Sequence, residues 1–450
     1  MEEKEVRKGV DELPKVHLFA YSHDGNKGPE EISVYGALGC FEERSSRELL
    51  EQDLEQLSME KLAEKKEKVL RETSGRGHGS VLDQSSFTFV VEDLPRSATL
   101  LICEPQYLSH LQQSLRRSDA ARGFFLSRPV IEAETGTKSL LNSAFDLYEE
   151  MKDENIGKLP AEDARYILPL ATRTNIQTTG DARELMHLHA MSQREGVPAI
   201  VKYTVEQMIE KAREVAPALM KQRDTNYEVL AWCPSSQLFA RQNKTLDNLV
   251  DELGGNHVRL IDNGLFKLDE EAIEKAVRQR DEAELANLKH MHYTFLAPMS
   301  LSTFHQATRQ RTWDQSVESI YHAAKRGEIV IVIPPSIEQS TYVEKFRDLA
   351  GRMMGEYYNL IDRGVAAEEA IGVVPHALQV YDLIHVNGWN AIHSIGKRTC
   401  TEAQWEIRGI AKQMAEQISN VHPALGQYSK PQGIVYGRCP ERKSCGKCKE

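Results

Sequence analysis

The chain has 450 residues and a mass of 50.9 kDa, which is long for one domain, so two or more folded units are expected. Hydrophobic residues at 40% and charged residues at 27% exclude a disordered or collagen-like chain. A net charge of −11 argues against a general nucleic-acid coat protein but leaves room for a local basic pocket that grips a phosphate.

The charged N-terminus, up to Lys15, lacks the apolar stretch of a signal peptide. Val16–Tyr21 reads as a short apolar strand. Arg47–Arg71 carries Leu49, Leu50, Leu54, Leu57, Met59, Leu62 and Val69 among charges, which predicts one amphipathic helix. Gly75–Asp83 places His78 between glycines at the start of a helix, where backbone amides suit a phosphate or simply form a turn. Ser85–Val91 alternates around Phe87 and Phe89 as a strand, and Val205–Met220 has helical spacing. A domain boundary is expected in the polar stretch 221–226, followed by a second short strand at Val229–Trp232.

Further along, Gln306–Ser319 is the densest basic cluster of the second half. Arg309 and Arg311 can grip a phosphate or an anionic ring there, or decorate a charged helix face. Residues 327–335 read as a buried strand closed by two prolines. Lys397–Arg408 precedes or opens a long helix over Glu402–Val421, with Trp405 on it. In the tail, Cys439, Cys445 and Cys448 have spacing that suits part of a zinc site or free thiols on a basic tail. Cys40, Cys103, Cys233 and Cys400 read as small buried residues or incidental thiols. Seven irregularly spaced cysteines suit a reducing compartment, so a cytoplasmic location is expected. No apolar run approaches the ~18 residues that span a bilayer, so no membrane contact is expected.

Two pairs of segments recur at one offset. Phe87-Thr88-Phe89 returns as Tyr293-Thr294-Phe295, and Ala164–Pro169 as Ala370–Pro375. A constant offset close to half the chain argues for tandem duplication. The expected fold is α+β: two α/β units, each a mixed or antiparallel sheet with long helices. The units are placed at 1–224 and 225–436, with a Cys/Lys-rich tail at 437–450.

The stretch from Gly77 to Phe89, the Arg309-Gln310-Arg311 run with seven residues between it and Ser319, and the Arg398–Arg408 stretch occur together in order. In combination they resemble the flavin-dependent thymidylate synthases, whose signature is R-H-R-x7-S, and the resemblance covers each half separately. The losses complement each other. The second half keeps Arg309, Arg311, Ser319 and Arg398, but has Gln310 for the signature histidine, Glu284 for a flavin-side histidine and Ile371 for a phosphate-binding arginine. The first half keeps His78, Arg165 and the later signature residues Gln112, Gln113, Ser114 and Arg116, but has Ser192 for the arginine over the uracil.

The resemblance implies one nucleotide pocket assembled from Gln306, Arg309 and Arg398 of the second half with Gln112, Gln113, Ser114, Arg116 and Arg165 of the first. It implies a catalytic set of Arg398, Arg309 and Ser319. For the flavin it implies His78, Ser80, Arg309, Gln310, Arg311, Arg183, His187 and Asn387, leaving open which half holds the adenine. The implied activity is methylation of dUMP at C5 to give dTMP, with FAD as cofactor and methylenetetrahydrofolate and NADPH as cosubstrates. No metal, no nucleic acid and no cysteine nucleophile enter this scheme, and a homodimer would recreate a four-unit assembly. Two other readings stand beside it: an enzyme that modifies another pyrimidine nucleotide, and a noncatalytic nucleotide-binding homologue.

Overall fold

A computed structural model describes residues 10–25, 27–118, 120–221, 235–439 and 444–446. Most of the expected boundary stretch, the strand expected at Val229–Trp232, and Cys233 and Cys448 lie outside the described residues. The chain forms two compact units that do not follow chain order. One comprises residues 1–149, 168–235 and 351–374; the other comprises 150–167, 236–350 and 375–450. Each repeat therefore lends a short segment to the unit built mainly from the other. The lent segments are stitched in by backbone bonds. In the first unit Leu170 N donates to Val374 O (2.9 Å) and Ala171 N to Gly372 O (2.8 Å); in the second, Ala377 N donates to Tyr166 O (3.0 Å).

The first unit holds an antiparallel sheet of β1 (Lys15–Tyr21), β2 (Phe87–Pro95), β3 (Ser109–Gln112) and β4 (Arg173–Gly180), in the order β1-β2-β4-β3. Period-two burial sets its faces: Phe87, Phe89 and Val91 are buried while Thr88, Val90 and Glu92 are half-exposed. The helix Ala199–Val215 packs against β1 with Val201, Val205, Met208 and Ile209 inward. The second unit repeats this plan with β5 (Arg259–Asp262), β6 (His292–Ser300), β7 (Asp314–Val317) and β8 (Gln379–Asn387), in the order β5-β6-β8-β7. Its helix Trp405–Val421 packs on β5 and β6 through Ile407, Ile410, Met414 and Ile418. The α+β reading therefore holds, with both sheets antiparallel.

Three expected elements differ. The helix expected over Arg47–Arg71 is two helices, Ser46–Gln56 and Met59–Glu72, because Leu57 is extended and the Ser58 hydroxyl caps a new start by accepting from Lys61 N. Val205–Met220 breaks at Ala216, since Pro217 cannot continue the hydrogen-bond ladder and starts a short helix instead. Residues 327–335 form no strand, only a single bridge between Ile331 and Leu378. Their neighbour turns at Pro375–Leu378, where Leu378 N bonds Pro375 O, so a ladder cannot extend.

Candidate active site

In the second unit, β6 feeds the helix Leu301–Ala307, which ends beside the turns that carry Arg309, Gln310 and Arg311. Ser300 caps this helix by accepting from Thr303 N at 3.1 Å, so the exit from the strand is fixed. After β8 the chain is helical from Gly388 to Arg398, but Ala391–Ile395 is a π-turn. The equivalent stretch of the first unit, Ala182–Ser192, is a continuous α-helix. π-Turns widen the helix locally and redirect the turns beyond them, and they gather at functional sites. Here the turn is pinned by Ser394, whose Oγ donates to Asn390 O (2.7 Å) and accepts from Trp313 Nε1 (2.7 Å). The signature loop thus holds the helix that ends in Arg398.

A second contact joins the same two pieces. A guanidinium offers only donors, so the Gln310 amide must present its oxygen to Arg398. In that orientation it accepts from Arg398 Nε at 2.7 Å and also from Nη2.

Sequence reasoning missed the buried hub beneath these residues. Glu406 sits at the start of the Trp405–Val421 helix and accepts from Ser300 N (2.7 Å), Ser300 Oγ (2.6 Å), Thr303 Oγ1 (2.7 Å) and the Tyr166 hydroxyl (2.6 Å). Gln404 Nε2 donates to the same Tyr166 oxygen at 2.8 Å, and Tyr166 stacks on Trp405. Burial pushes the Tyr166 hydroxyl well above the usual phenol range, so it stays a neutral donor. Asp163 accepts from Trp405 Nε1 (2.9 Å) and Ser336 Oγ (2.6 Å); burial pushes its carboxyl up, against the pull of those bonds. Between Asp163 and Tyr166 lies Arg165, buried, with Nε donating to Glu162 O at 3.0 Å. The signal was available in the Gln404-Trp405-Glu406 run, but pattern alone gave Glu406 no partner.

Arg165, Gln306, Arg309, Gln310, Arg311, Ser319 and Arg398 all belong to this unit. Ser319 does not fit the catalytic part expected of it. It is fully buried, its hydroxyl donates to Ala240 O, and it caps the next helix by accepting from Tyr321 N at 3.3 Å. Gln112, Gln113, Ser114 and Arg116 belong to the first unit. There Gln112 Nε2 donates to Thr99 Oγ1 (3.0 Å), Gln113 O accepts from Arg96 (2.7 Å), and Ser114 Oγ accepts from Arg116 N (3.2 Å).

Of the expected flavin residues, the first unit gathers His78, Ser80, Arg183 and His187, while Arg309, Gln310, Arg311 and Asn387 belong to the second. The short helix Gly79–Gln84 packs against Ala182–Ser192. Arg183 pairs with Asp83 at 3.2 Å and lies so close over the backbone that a Cβ on Gly79 would come within 3.2 Å of its guanidinium. One turn on, His187 is buried and its Nε2 has no hydrogen-bond partner among the described residues. Asp181 caps this helix by accepting from Glu184 N at 2.8 Å. Burial lifts its carboxyl to about 6, with Asp83 and Glu184 adding to the rise. His78 and Ser80 are exposed beside this cradle. The cradle fits a polar, anionic cofactor: glycine leaves room, a guanidinium answers negative charge, and a buried imidazole nitrogen awaits a partner. In the second unit Asn387 caps its helix in the same way, accepting from Asn390 N (2.9 Å), while Trp389, at the repeat position of Arg183, stacks on His393.

The first unit also holds both replaced arginine positions. Ser192 is fully buried with its hydroxyl donated to His189 O (2.7 Å), and Ile371 is buried on the same short helix as Val373. In the tail, Cys439 and Cys445 are half-buried free thiols, and Cys445 Sγ lies 3.6 Å from Thr401 Oγ1. Among the described residues, no cluster of three His, Cys, Asp or Glu could hold a metal, and no helix is long and apolar enough to cross a membrane.

The second unit thus gathers Arg165, Arg309, Arg311 and Arg398 on an antiparallel α+β frame whose helix starts are tied together by the buried Glu406. The chain belongs to the thymidylate synthase complementing protein family, whose model matches residues 19–218 and again 241–424. It is 32% identical over 167 residues to the flavin-dependent thymidylate synthase of Geobacter sulfurreducens, covering 36% of this chain and 72% of that one. The enzyme of the same name from Clostridium tetani is 32% identical over 184 residues, with the same coverage. Among solved structures, a UMP/dUMP methylase PolB from Streptomyces cacaoi, bound with 5-Br dUMP, aligns with a TM-score of 0.39 and 17% identity. That match covers 48% of this chain and 96% of the other, and is too slight to carry an argument.

Proposed function

We propose that this chain is a flavin-dependent thymidylate synthase that methylates dUMP at C5, using methylenetetrahydrofolate as carbon donor and NADPH as reductant. The observation that carries the reading is the exchange of segments: Arg165 of the first repeat and Arg398 of the second fall in one unit, together with Gln306, Arg309 and the Glu406 hub. Arg183, His187, His78 and Ser80 would hold FAD, which when bound would supply the hydride that completes the methyl group. The rest is the work of side chains. Arg398 stabilises negative charge that develops on the uracil carbonyl edge as C5 becomes nucleophilic, which is electrostatic preorganisation. Arg165, fixed by its bond to Glu162 O, offers its fork to the 5′-phosphate. Arg309 and Gln306 complete the nucleotide contacts, and the neutral Tyr166 with Glu406 keeps their helix in place. The chain acts in the cytoplasm as a homodimer in this reading.

Each turnover replaces the C5 hydrogen, so tritium from 5-labelled dUMP should appear in water when folate donor, FAD and NADPH are present. Arg398→Ala should abolish that release, whereas Ser192→Ala should leave it within about twofold, since changes remote from a site cost little. Equal loss in both variants, or no release by the unaltered chain, would refute the reading.

A further inference from the structure

We infer that Gln310 is a positioning residue that aims Arg398 through the amide oxygen. This rests on the nucleotide reading of the same site. Gln310 is half-buried in the signature loop, and its backbone is held by bonds from Gln310 N to Ala307 O (2.8 Å) and from Trp313 N to Gln310 O (2.9 Å). Its side chain is therefore launched from a fixed turn. The amide oxygen meets Arg398 at both Nε and Nη2, a two-point contact that sets the plane of the guanidinium as well as its place. Trp313, three residues on, reaches Ser394 one turn before Arg398, so the loop grips the same helix twice.

The chemistry of the acceptor matters. A neutral carbonyl oxygen orients a guanidinium and leaves its full positive charge available to the ligand. A carboxylate in the same place would neutralise it, and a protonated imidazole would repel it. Glutamine at 310 thus converts the second residue of the signature from a titratable group into a fixed dipole that serves Arg398.

A double-mutant cycle of Gln310→Ala and Arg398→Ala tests this, read in urea unfolding and in dUMP affinity by calorimetry. Gln310→Ala should weaken dUMP about tenfold in the otherwise unaltered chain, as expected for loss of a bond to a charged group. It should have no further effect when Arg398 is alanine. Gln310→Glu keeps an acceptor but adds charge, so kcat for tritium release should fall at least fivefold more than KM rises. Additive losses in both backgrounds, or an unchanged kcat in Gln310→Glu, would overturn the assignment. A chain that binds no dUMP at all would defeat the nucleotide reading and the positioning role together. In that case coupling in the urea cycle would still separate a real Gln310–Arg398 contact from none.

Discussion

At residue 181 the structure shows what a buried aspartate costs as a helix cap. The carboxyl caps a helix but is partly buried beside Asp83 and Glu184, which lifts it to about 6. A carboxyl raised in the folded state binds its proton more tightly there than in the unfolded chain. Its favourable contribution is full below the unfolded value near 4 and is lost as pH rises through about 6. Asp181→Asn keeps an equally good cap without the charge. The variant should therefore gain little stability at pH 4 and distinctly more at pH 8, measured as the shift in urea midpoint. A gain that does not grow with pH would mean that the carboxyl is not strained by burial.

Among the elements, the site depends on how three chain segments end. The helix Leu301–Ala307, the helix Trp405–Val421 and the turn at Arg165–Ile167 meet at their termini, where polar backbone and hydroxyl donors would be left unpaired without an acceptor. Glu406 supplies one, because its two oxygens satisfy donors from Ser300, Thr303 and Tyr166 together. Replacing it by glutamine turns one acceptor into a donor facing other donors. Glu406→Gln should cost roughly 2 to 3 kcal/mol of stability in chemical denaturation, the penalty of buried groups left unpaired. It should weaken dUMP more than any equally destabilising core change in the first unit, such as Val205→Ala. Matched effects on binding would show that the hub serves stability alone. The π-turn at Ala391–Ile395 belongs to the same scale: the two repeats share their strand order, yet only the one that keeps its arginine departs from the α-helix there.

Across the whole molecule, duplication followed by segment exchange sorts the surviving groups. Arg165 and Arg398 fall in one unit, while Ser192 and Ile371 fall in the other, although each pair draws one member from each repeat. A buried serine whose hydroxyl is already donated and a buried isoleucine offer an anion no positive charge. Calorimetry with the flavin-loaded chain should therefore count one dUMP per polypeptide. A count of two would mean that the first unit binds nucleotide without those arginines.

The residues alone determined much of this. Period-two burial in β2, the recurrent aromatic-Thr-Phe and Ala-x4-Pro segments, and the signature arginines are local patterns carried by side-chain type and spacing, so they read directly from the chain. Helix length did not. The breaks at Ser58 and Ala216 turn on single caps and a proline ring, whose weight depends on what each helix packs against. The failed strand at 327–335 turned on its neighbour's conformation, which no local window contains. The Glu406 hub, the structural duty of Ser319 and the Gln310–Arg398 contact join residues tens to hundreds of positions apart. Only the folded chain could decide them, because a hydrogen bond is fixed by distance and direction in space, and residue order specifies neither.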